Sequence, residues 1–296
     1  MRVFLLGASG SIGQGLVHEM LARGYEVTAL SRSDTSDSLL TKWGVTPCKG
    51  DLRDPFSWAK KAVGCAAIVH AAAVPFDDMP AVDRDVTNAL IAAAKKTTHR
   101  PRLIYTGSCW LYGETGDQIA HEGPPFDPHP SFEWMITSAE KLLACRALST
   151  AILTPGMVYH RDGGVFRRFL EPAQAGRPIE IWKSGEVRWP LIHRDDLSNA
   201  YCNLIERPHL SGHFNAATET GVRVAEIADV IASALGSSAD HRVLSVDQVI
   251  ERYGAWASGC TIDQQMGSER LRQEAGWAPK ALDWRRSDLM ERLSVL

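Results

Sequence analysis

The sequence has no large excess of charge of either sign. Its 32 Lys and Arg residues stand against 35 Asp and Glu residues, which gives 296 residues a formal net charge of −3. Proteins that bind nucleic acid or membrane surfaces through general electrostatics usually carry a basic excess or patch, so we expect neither partner. The sequence also lacks an apolar run of about 18 residues, the length that a membrane-spanning helix requires.

Paired cysteine motifs are absent as well. The six cysteines form no Cys-x-x-Cys pair and have no His-x-x-His partner, so we predict no metal site. Single cysteines scattered along a chain of this size are typical of buried apolar residues in a reducing compartment. The first residues carry one basic side chain, Arg2, before an apolar segment that is too short for a signal-peptide core. We therefore expect a cytoplasmic protein.

The first half of the chain alternates short apolar runs with helical patterns. The predicted strands are residues 2–6, 26–30, 45–48, 66–70, 102–106 and 151–153. Helical patterns separate them, including residues 54–63, 80–96 and 131–148. This alternation predicts an α/β fold with a doubly wound, mostly parallel sheet, a Rossmann fold built from right-handed crossovers.

The pattern changes after about residue 155, where helical patterns and short strand-like pieces mix. We predict a Rossmann domain over residues 1–160. Residues 161–296 are expected to form a smaller α+β region that mainly binds substrate, with some segments returning to the sheet. No repeat or flexible linker separates the two parts.

Three glycines, Gly7, Gly10 and Gly13, stand between the first predicted strand and the first predicted helix. In a dinucleotide-binding turn they allow a tight turn, a close approach of backbone to a pyrophosphate, and close helix–strand packing. The N–H groups at the helix N-terminus then face the phosphates. The residues predicted to bind the cofactor here are Gly7, Ser9, Gly10, Ser11, Ile12 and Gly13.

The end of the second strand bears on the choice between NAD and NADP. An acidic residue there binds the adenosine ribose, whereas an Arg nearby accommodates a 2′-phosphate. Here Ser31, Arg32 and Ser33 follow the strand, and the first carboxylate is Asp34. Arg32 can bind a phosphate through two N–H groups, with Ser33 beside it, so we predict that NADP(H) is preferred over NAD(H).

An ordered set of motifs resembles the short-chain dehydrogenase/reductase superfamily, specifically its extended, epimerase/dehydratase-like branch, over essentially the whole chain. The motifs are GASGSIG at 7–13, GDL at 50–52, YTGS at 105–108 with LYG at 111–113, PGMVY at 155–159 and HRDDL at 193–197. The resemblance implies that Asp51 and Leu52 flank the adenine. It also implies that Ala71 and Ala72 line the cofactor, and that the turn containing Pro155 and Val158 passes near the nicotinamide.

The resemblance also implies an active site, and there the sequence departs from the family pattern. Ser108 matches the family's serine. The family's Tyr-x-x-x-Lys pair would fall on Phe132 and Ile136, and no Tyr occurs anywhere in residues 131–148. Neither Phe132 nor Ile136 can transfer a proton, which puts ordinary alcohol–ketone dehydrogenation in doubt.

Three residues are candidates for the missing acid. Tyr159 and His160 follow the turn expected near the nicotinamide, and His has the unperturbed pKa closest to neutrality. Tyr112 lies just beyond Ser108 and can hydrogen-bond a substrate. For Tyr159 and His160 the alternative is a pair of loop residues that lines the pocket.

Three functions fit these observations. The first is an NADP(H)-dependent oxidoreductase or epimerase/dehydratase-like enzyme that acts on a small organic or nucleotide-sugar substrate without the usual acid–base pair. The second is a non-catalytic NADP-binding sensor or scaffold. The third is a non-redox isomerase or lyase on the same fold. Related enzymes often pair through the helix at 131–148, so a homodimer is also an expectation.

Replacing Arg32 with Ala tests the assignment of the cofactor. We expect Arg32→Ala to weaken NADPH binding much more than NADH binding, because only NADPH carries the 2′-phosphate. Titrations read by nicotinamide fluorescence measure both affinities. An equal loss for the two cofactors would contradict a phosphate-binding role.

Overall fold

The computed structural model describes residues 1–74, 76–237 and 240–295. Its largest element is a seven-stranded sheet in which every neighbouring pair of strands is parallel. The strands of this sheet are β1 (Arg2–Leu6), β2 (Glu26–Ser31), β3 (Thr46–Lys49), β4 (Ala67–His70), β5 (Arg102–Thr106), β6 (Ser149–Pro155) and, after three strands outside it, β10 (Gly212–Ala216). Their order across the sheet is β10-β6-β5-β4-β1-β2-β3.

Helices cover both faces of this sheet. The helices of the first half are α1 (Ser11–Ala22), α2 (Asp34–Lys42), α3 (Ala59–Val63), α4 (Met79–Ala94) and α5 (Glu133–Ala144). Apolar side chains of α3, α4 and α5 pack on one face around Phe4, Ile68 and Leu103. Side chains of α1 pack on the other face. The predicted doubly wound parallel sheet is therefore confirmed.

The second half supplies two small sheets and six helices among the described residues. The strands outside the large sheet are β7 (Met157–Tyr159), β8 (Ile179–Trp182), β9 (Arg188–His193), β11 (Glu219–Arg223) and β12 (His241–Leu244). The helices are α6 (Arg167–Gln174), α7 (Arg194–Ile205), α8 (Val224–Ala234), α9 (Val246–Tyr253), α10 (Glu269–Ala275) and α11 (Asp288–Leu293). Strand β10 and helices α7 and α10 pack with the Rossmann part, while most of the other segments contribute to a second apolar core.

Several elements differ from the sequence prediction. The patterns missed α2, α9 and α10, because each is short and buries few residues; in α2 only Leu40 is buried. One of the helical patterns after residue 155 spans residues 161–178, and within it the structure forms an α-helix only over α6. All six cysteines are buried and unpaired, as expected. Within the described residues no helix has both the length and the apolar character needed to cross a bilayer.

The glycine turn controls how closely α1 approaches the sheet. A Cβ added to Gly13 would lie 2.0 Å from the carbonyl oxygen of Gly7 and 2.8 Å from the backbone of Ala8. Gly7 itself has a φ of 92°, a backbone conformation that favours glycine. Any side chain at Gly13 would therefore push the start of α1 away from β1.

We predict that Gly13→Ala destabilises the protein. Backbone atoms surround the new methyl group and cannot rotate away, so an overpacking cost of about 1–3 kcal/mol is expected. Thermal denaturation followed by circular dichroism measures the loss. His18→Ala, at an exposed position of the same helix, is the control and should leave the melting temperature almost unchanged.

Candidate functional site

A groove of about 500 Å³ follows the carboxyl edge of the large sheet beside the glycine turn. We call it the glycine-turn groove. Most of the predicted cofactor-binding residues line it: Gly7, Ser9, Gly10, Ser11, Ile12, Arg32, Ser33, Asp51, Leu52, Ala71 and Ala72. Gly13, Pro155 and Val158 are not among its lining residues. Gly13 lies behind the turn, and Val158 packs in the apolar core beneath α1.

The start of α1 presents free backbone donors to this groove. Gly10 precedes the helix, and no side chain caps the N-terminus. The amide of Gly10 donates to the carbonyl of Gly7 at 3.0 Å, which closes the turn. The unpaired N–H groups and the positive end of the helix dipole form a site suited to a phosphate group.

At the far end of the groove the charges favour an anionic ligand. Arg32 is exposed and forms no ion pair within the described chain. The nearby carboxylates of Asp34 and Asp37 both pair with Lys49. The hydroxyl of Ser33 accepts a hydrogen bond from the amide of Ser36 at 3.2 Å and so caps α2. Arg32 is therefore left as a positive group with no carboxylate partner.

A second cavity of about 500 Å³ adjoins the groove, and we call it the substrate cavity. The two share a wall formed by Ile12 and residues 71–74. Four large aromatic side chains line the substrate cavity: Trp110, Phe132, Trp134 and Trp256. Its polar lining residues include His70, Asp83, Tyr105, Thr106 and Ser108. An apolar ligand with one polar group would suit such a lining.

Ser108 is the predicted catalytic residue that the structure places in this cavity. Its Oγ accepts a hydrogen bond from the amide of Trp110 at 3.2 Å. Because the hydroxyl acts as an acceptor in that contact, its own proton is left for a ligand. Ser108 can therefore donate a hydrogen bond to a substrate oxygen.

The two positions expected for the family's Tyr and Lys hold packing groups. Phe132 is 2% exposed, and its ring centroid lies 5.1 Å from that of Trp110. Ile136 is half-buried on α5 and is not among the residues that line the substrate cavity. Lys141, the lysine of this helix, is exposed.

Tyr112 and Tyr159 lie in the core, outside the substrate cavity. The Tyr112 hydroxyl donates to Oδ1 of Asn215 at 2.7 Å and accepts from the amide of Gly123 at 3.3 Å. Tyr159 is fully buried, and its ring stacks on Phe166 at a centroid distance of 5.1 Å. Burial raises the pKa of both phenols well above the usual value. Both side chains therefore pack in the core, and neither lines the substrate cavity.

His160 lies beside the glycine turn instead of the substrate cavity. Its Nε2 is 3.0 Å from Oγ of Ser11, and its Nδ1 accepts from the amide of Asp162 at 3.2 Å. Burial and the nearby charge of Arg194 lower the pKa of His160, which favours the neutral imidazole. The same cleft contains Arg167. His160 is therefore placed to hold Ser11 at the start of α1.

One group of possible metal ligands lies elsewhere among the described residues. Ligand atoms of His121, Glu122 and Glu269 all lie within 4.8 Å of one another. His121 and Glu269 are exposed, and Glu122 already accepts a hydrogen bond from the amide of Arg270 at 3.1 Å. Surface acidic groups commonly cluster in this way without a metal, so the group carries no assignment.

The sequence prediction missed one polar cluster that borders the substrate cavity. His70, Asp83 and Tyr105 come from β4, α4 and β5, and each is at most 3% exposed. From the sequence, a role in lining the cofactor was predicted only for Ala71 and Ala72, the residues that follow His70. The available signal was a histidine at the end of an apolar strand and an aspartate on the apolar face of a helix.

Comparison with known proteins defines the class. The model of the NAD dependent epimerase/dehydratase family matches residues 3–217, so the chain belongs to this family. An uncharacterized Schizosaccharomyces pombe protein, C2A9.02, is 27% identical over 289 residues, covering 94% of this chain and 95% of its own length.

Two further proteins are informative. The sterol-4-alpha-carboxylate 3-dehydrogenase (decarboxylating) of Dictyostelium discoideum is 41% identical over 144 residues, which cover 45% of this chain and 43% of that enzyme. The crystal structure of human epimerase family protein SDR39U1 (isoform 2) with NADPH superposes with a TM-score of 0.80. The two chains are 22% identical in sequence, and the superposition covers 100% of this chain and 99% of the human one.

A double substitution tests whether the family's acid–base geometry survives. Phe132→Tyr with Ile136→Lys should be neutral or harmful to any carbonyl reduction, because Phe132 is tightly packed and a lysine at position 136 would lie outside the cavity lining. Rates of NADPH consumption measure the effect. A gain of tenfold or more would mean that only the acid was missing.

Proposed function

We propose that this protein is an NADP(H)-dependent oxidoreductase that acts on a small, largely apolar carbonyl compound without a Tyr/Lys pair. The observation that carries the proposal is the shared wall between the glycine-turn groove and the substrate cavity. A dinucleotide in the groove would bring its reactive ring to the cavity that contains Ser108. Membership of a family described as NAD dependent supports the same reading.

The groove fits a nicotinamide dinucleotide. The backbone donors at the start of α1 would hold the pyrophosphate, and Arg32 would hold the 2′-phosphate of NADP. Asp51 and Leu52 would flank the adenine. The bound nicotinamide would supply hydride transfer, while the chain positions the substrate and excludes water.

The lining of the substrate cavity favours an apolar substrate over a nucleotide sugar. Trp110, Trp134 and Trp256 offer flat apolar surfaces, and no Lys or Arg lines this cavity within the described residues. A nucleotide sugar would bring a diphosphate that needs positive partners. The relative from Dictyostelium, named as a sterol dehydrogenase, supports an apolar substrate.

A non-catalytic sensor is the second candidate. Phe132 and Ile136 favour it, because neither can replace the Tyr/Lys pair. Such a protein would bind the cofactor and leave it unconsumed with every substrate. A non-redox isomerase or lyase would convert its substrate with no net change in the cofactor.

Titration of the purified protein with NADPH and NADH, read by nicotinamide fluorescence, tests the cofactor. We expect NADPH to bind at least about tenfold more tightly, since a charge-assisted bidentate contact is worth more than one neutral hydrogen bond. Equal affinities would contradict the preference for NADP. Absence of binding by either would contradict the proposed function.

A substrate screen then tests the reaction. Loss of absorbance at 340 nm with flat aromatic ketones, quinones or enones, and not with sugar nucleotides, is the expected result. Turnover of sugar nucleotides alone would favour the epimerase/dehydratase alternative. Tight NADPH binding with no turnover of any compound would favour the sensor.

A further inference from the structure

The sequence prediction assigned no role to the buried cluster of His70, Asp83 and Tyr105. This cluster borders the substrate cavity. His70 ends β4, Tyr105 lies opposite it on β5, and Asp83 comes from α4. Their side chains are 3%, 2% and 1% exposed, respectively. A buried carboxylate is costly unless it is paired, so this arrangement requires an explanation.

The contacts within this cluster run from Tyr105 through Asp83 to the imidazole of His70. Oδ2 of Asp83 accepts a hydrogen bond from the hydroxyl of Tyr105 at 2.9 Å. Oδ1 of Asp83 lies 3.2 Å from Nε2 of His70, close enough for an ion pair but outside good hydrogen-bond geometry. The His70 and Tyr105 rings meet edge to face, with centroids 5.5 Å apart.

The second nitrogen of the imidazole is not engaged. No described residue hydrogen-bonds Nδ1 of His70, while the carbonyl of the same residue accepts from the Thr106 hydroxyl at 2.7 Å. Asp83 therefore faces Nε2 of the ring as an ion-pair partner, on the side where a carboxylate can balance the charge of a protonated imidazole. Nδ1 is the nitrogen left to serve a ligand in the cavity.

The geometry points to His70 as the proton donor to the substrate oxygen, oriented and charge-balanced by Asp83. This inference rests on the proposed carbonyl reduction and assigns the acid that the missing Tyr would have been. Asp83 would stabilise the protonated imidazole before the reaction. Ser108 would donate a second hydrogen bond to the same oxygen.

The proton and electrons balance in this scheme. The carbonyl carbon would accept a hydride, which NADPH would supply when bound, and the π-electron pair of the C=O bond would move to oxygen. The Nδ1–H bond of His70 breaks as the new O–H bond forms, and the ring keeps that electron pair and becomes neutral. The products are the alcohol and NADP⁺, and a proton from water restores the imidazolium.

Tyr105 is a positioning residue and not the acid. Burial and the neighbouring carboxylate of Asp83 raise its pKa well above 10, so the phenol stays protonated. Its hydroxyl is already used in the hydrogen bond to Asp83. It limits the directions in which the carboxylate can turn and so holds the imidazole in place.

Turnover of a probe substrate tests the role of His70. With NADPH and 9,10-phenanthrenequinone, His70→Gln should lower kcat at least about 100-fold, since general acid catalysis contributes that much or more. The KM for the quinone and the Kd for NADPH should stay within about threefold. Asp83→Asn, which keeps the shape but removes the charge, should also lower kcat selectively. His209→Gln, at an exposed position, is the control.

Unchanged kcat in a folded His70→Gln protein would overturn the inference. So would equal losses of kcat and NADPH affinity, because they indicate a structural role. A wild-type protein that binds NADPH but reduces no carbonyl compound contradicts the proposed function instead. The role of His70 is then decided by a measurement that needs neither turnover nor cofactor.

That measurement uses ¹⁵N-labelled histidine and a matched pair of ligands. The His70 ring signals are assigned by their absence from His70→Gln, or by their displacement in Asp83→Asn if the first variant does not fold. We expect 1-tetralone to shift the Nδ1 resonance and its hydrocarbon analogue tetralin to leave it in place. Equal shifts with both ligands, or none with either, would show that Nδ1 does not meet a ligand oxygen.

Discussion

The close approach of the backbone at the glycine turn is the constraint on which the other features of the site depend. Only a residue without a side chain fits at Gly13, because the Gly7 carbonyl occupies the space that a Cβ would need. This contact sets the start of α1 against the end of β1. The free N–H groups of α1 consequently open into the groove, and Nε2 of His160 lies 3.0 Å from Oγ of Ser11 in the adjacent cleft. Helix α7 packs against α1.

The parallel sheet determines where the substrate cavity lies. The carboxyl ends of β4 and β5 meet at one edge, so His70 and Tyr105 lie next to each other in register. In open parallel sheets ligands bind outside this edge. Helices α4 and α5 cover the same face; α4 contributes Asp83, and α5 contributes Trp134 to the cavity lining. The strand order of the sheet therefore places the cavity, and its chemistry depends on which side chains lie at the ends of these strands.

The sequence departs from the family pattern at the expected positions of the Tyr/Lys pair. The glycine turn and the two adjoining pockets are nevertheless formed. The glycine turn and Arg32 line one groove, and Ser108 lines the cavity beside it. Phe132, at the position where the family's phenol is expected, packs on Trp110. A carboxylate on α4 and a histidine on β4 form a separate polar group in the same cavity. The chain therefore combines a groove suited to a phosphate-containing ligand with titratable side chains in the adjoining cavity.

The alternation of strands and helices and the glycine turn between β1 and α1 could be predicted from the amino-acid sequence, which also has no Tyr in residues 131–148. These features depend on local periodicity and on residues within a few positions of one another. Which polar side chains share the cavity could not be predicted in this way, because it depends on the tertiary packing. Tyr112 and Tyr159 belong to the sequence motifs but pack in the core, whereas Asp83 and Tyr105 are 22 residues apart and form a hydrogen bond. Strand register and helix packing control the direction of a side chain, and both depend on contacts between segments that are distant in the sequence.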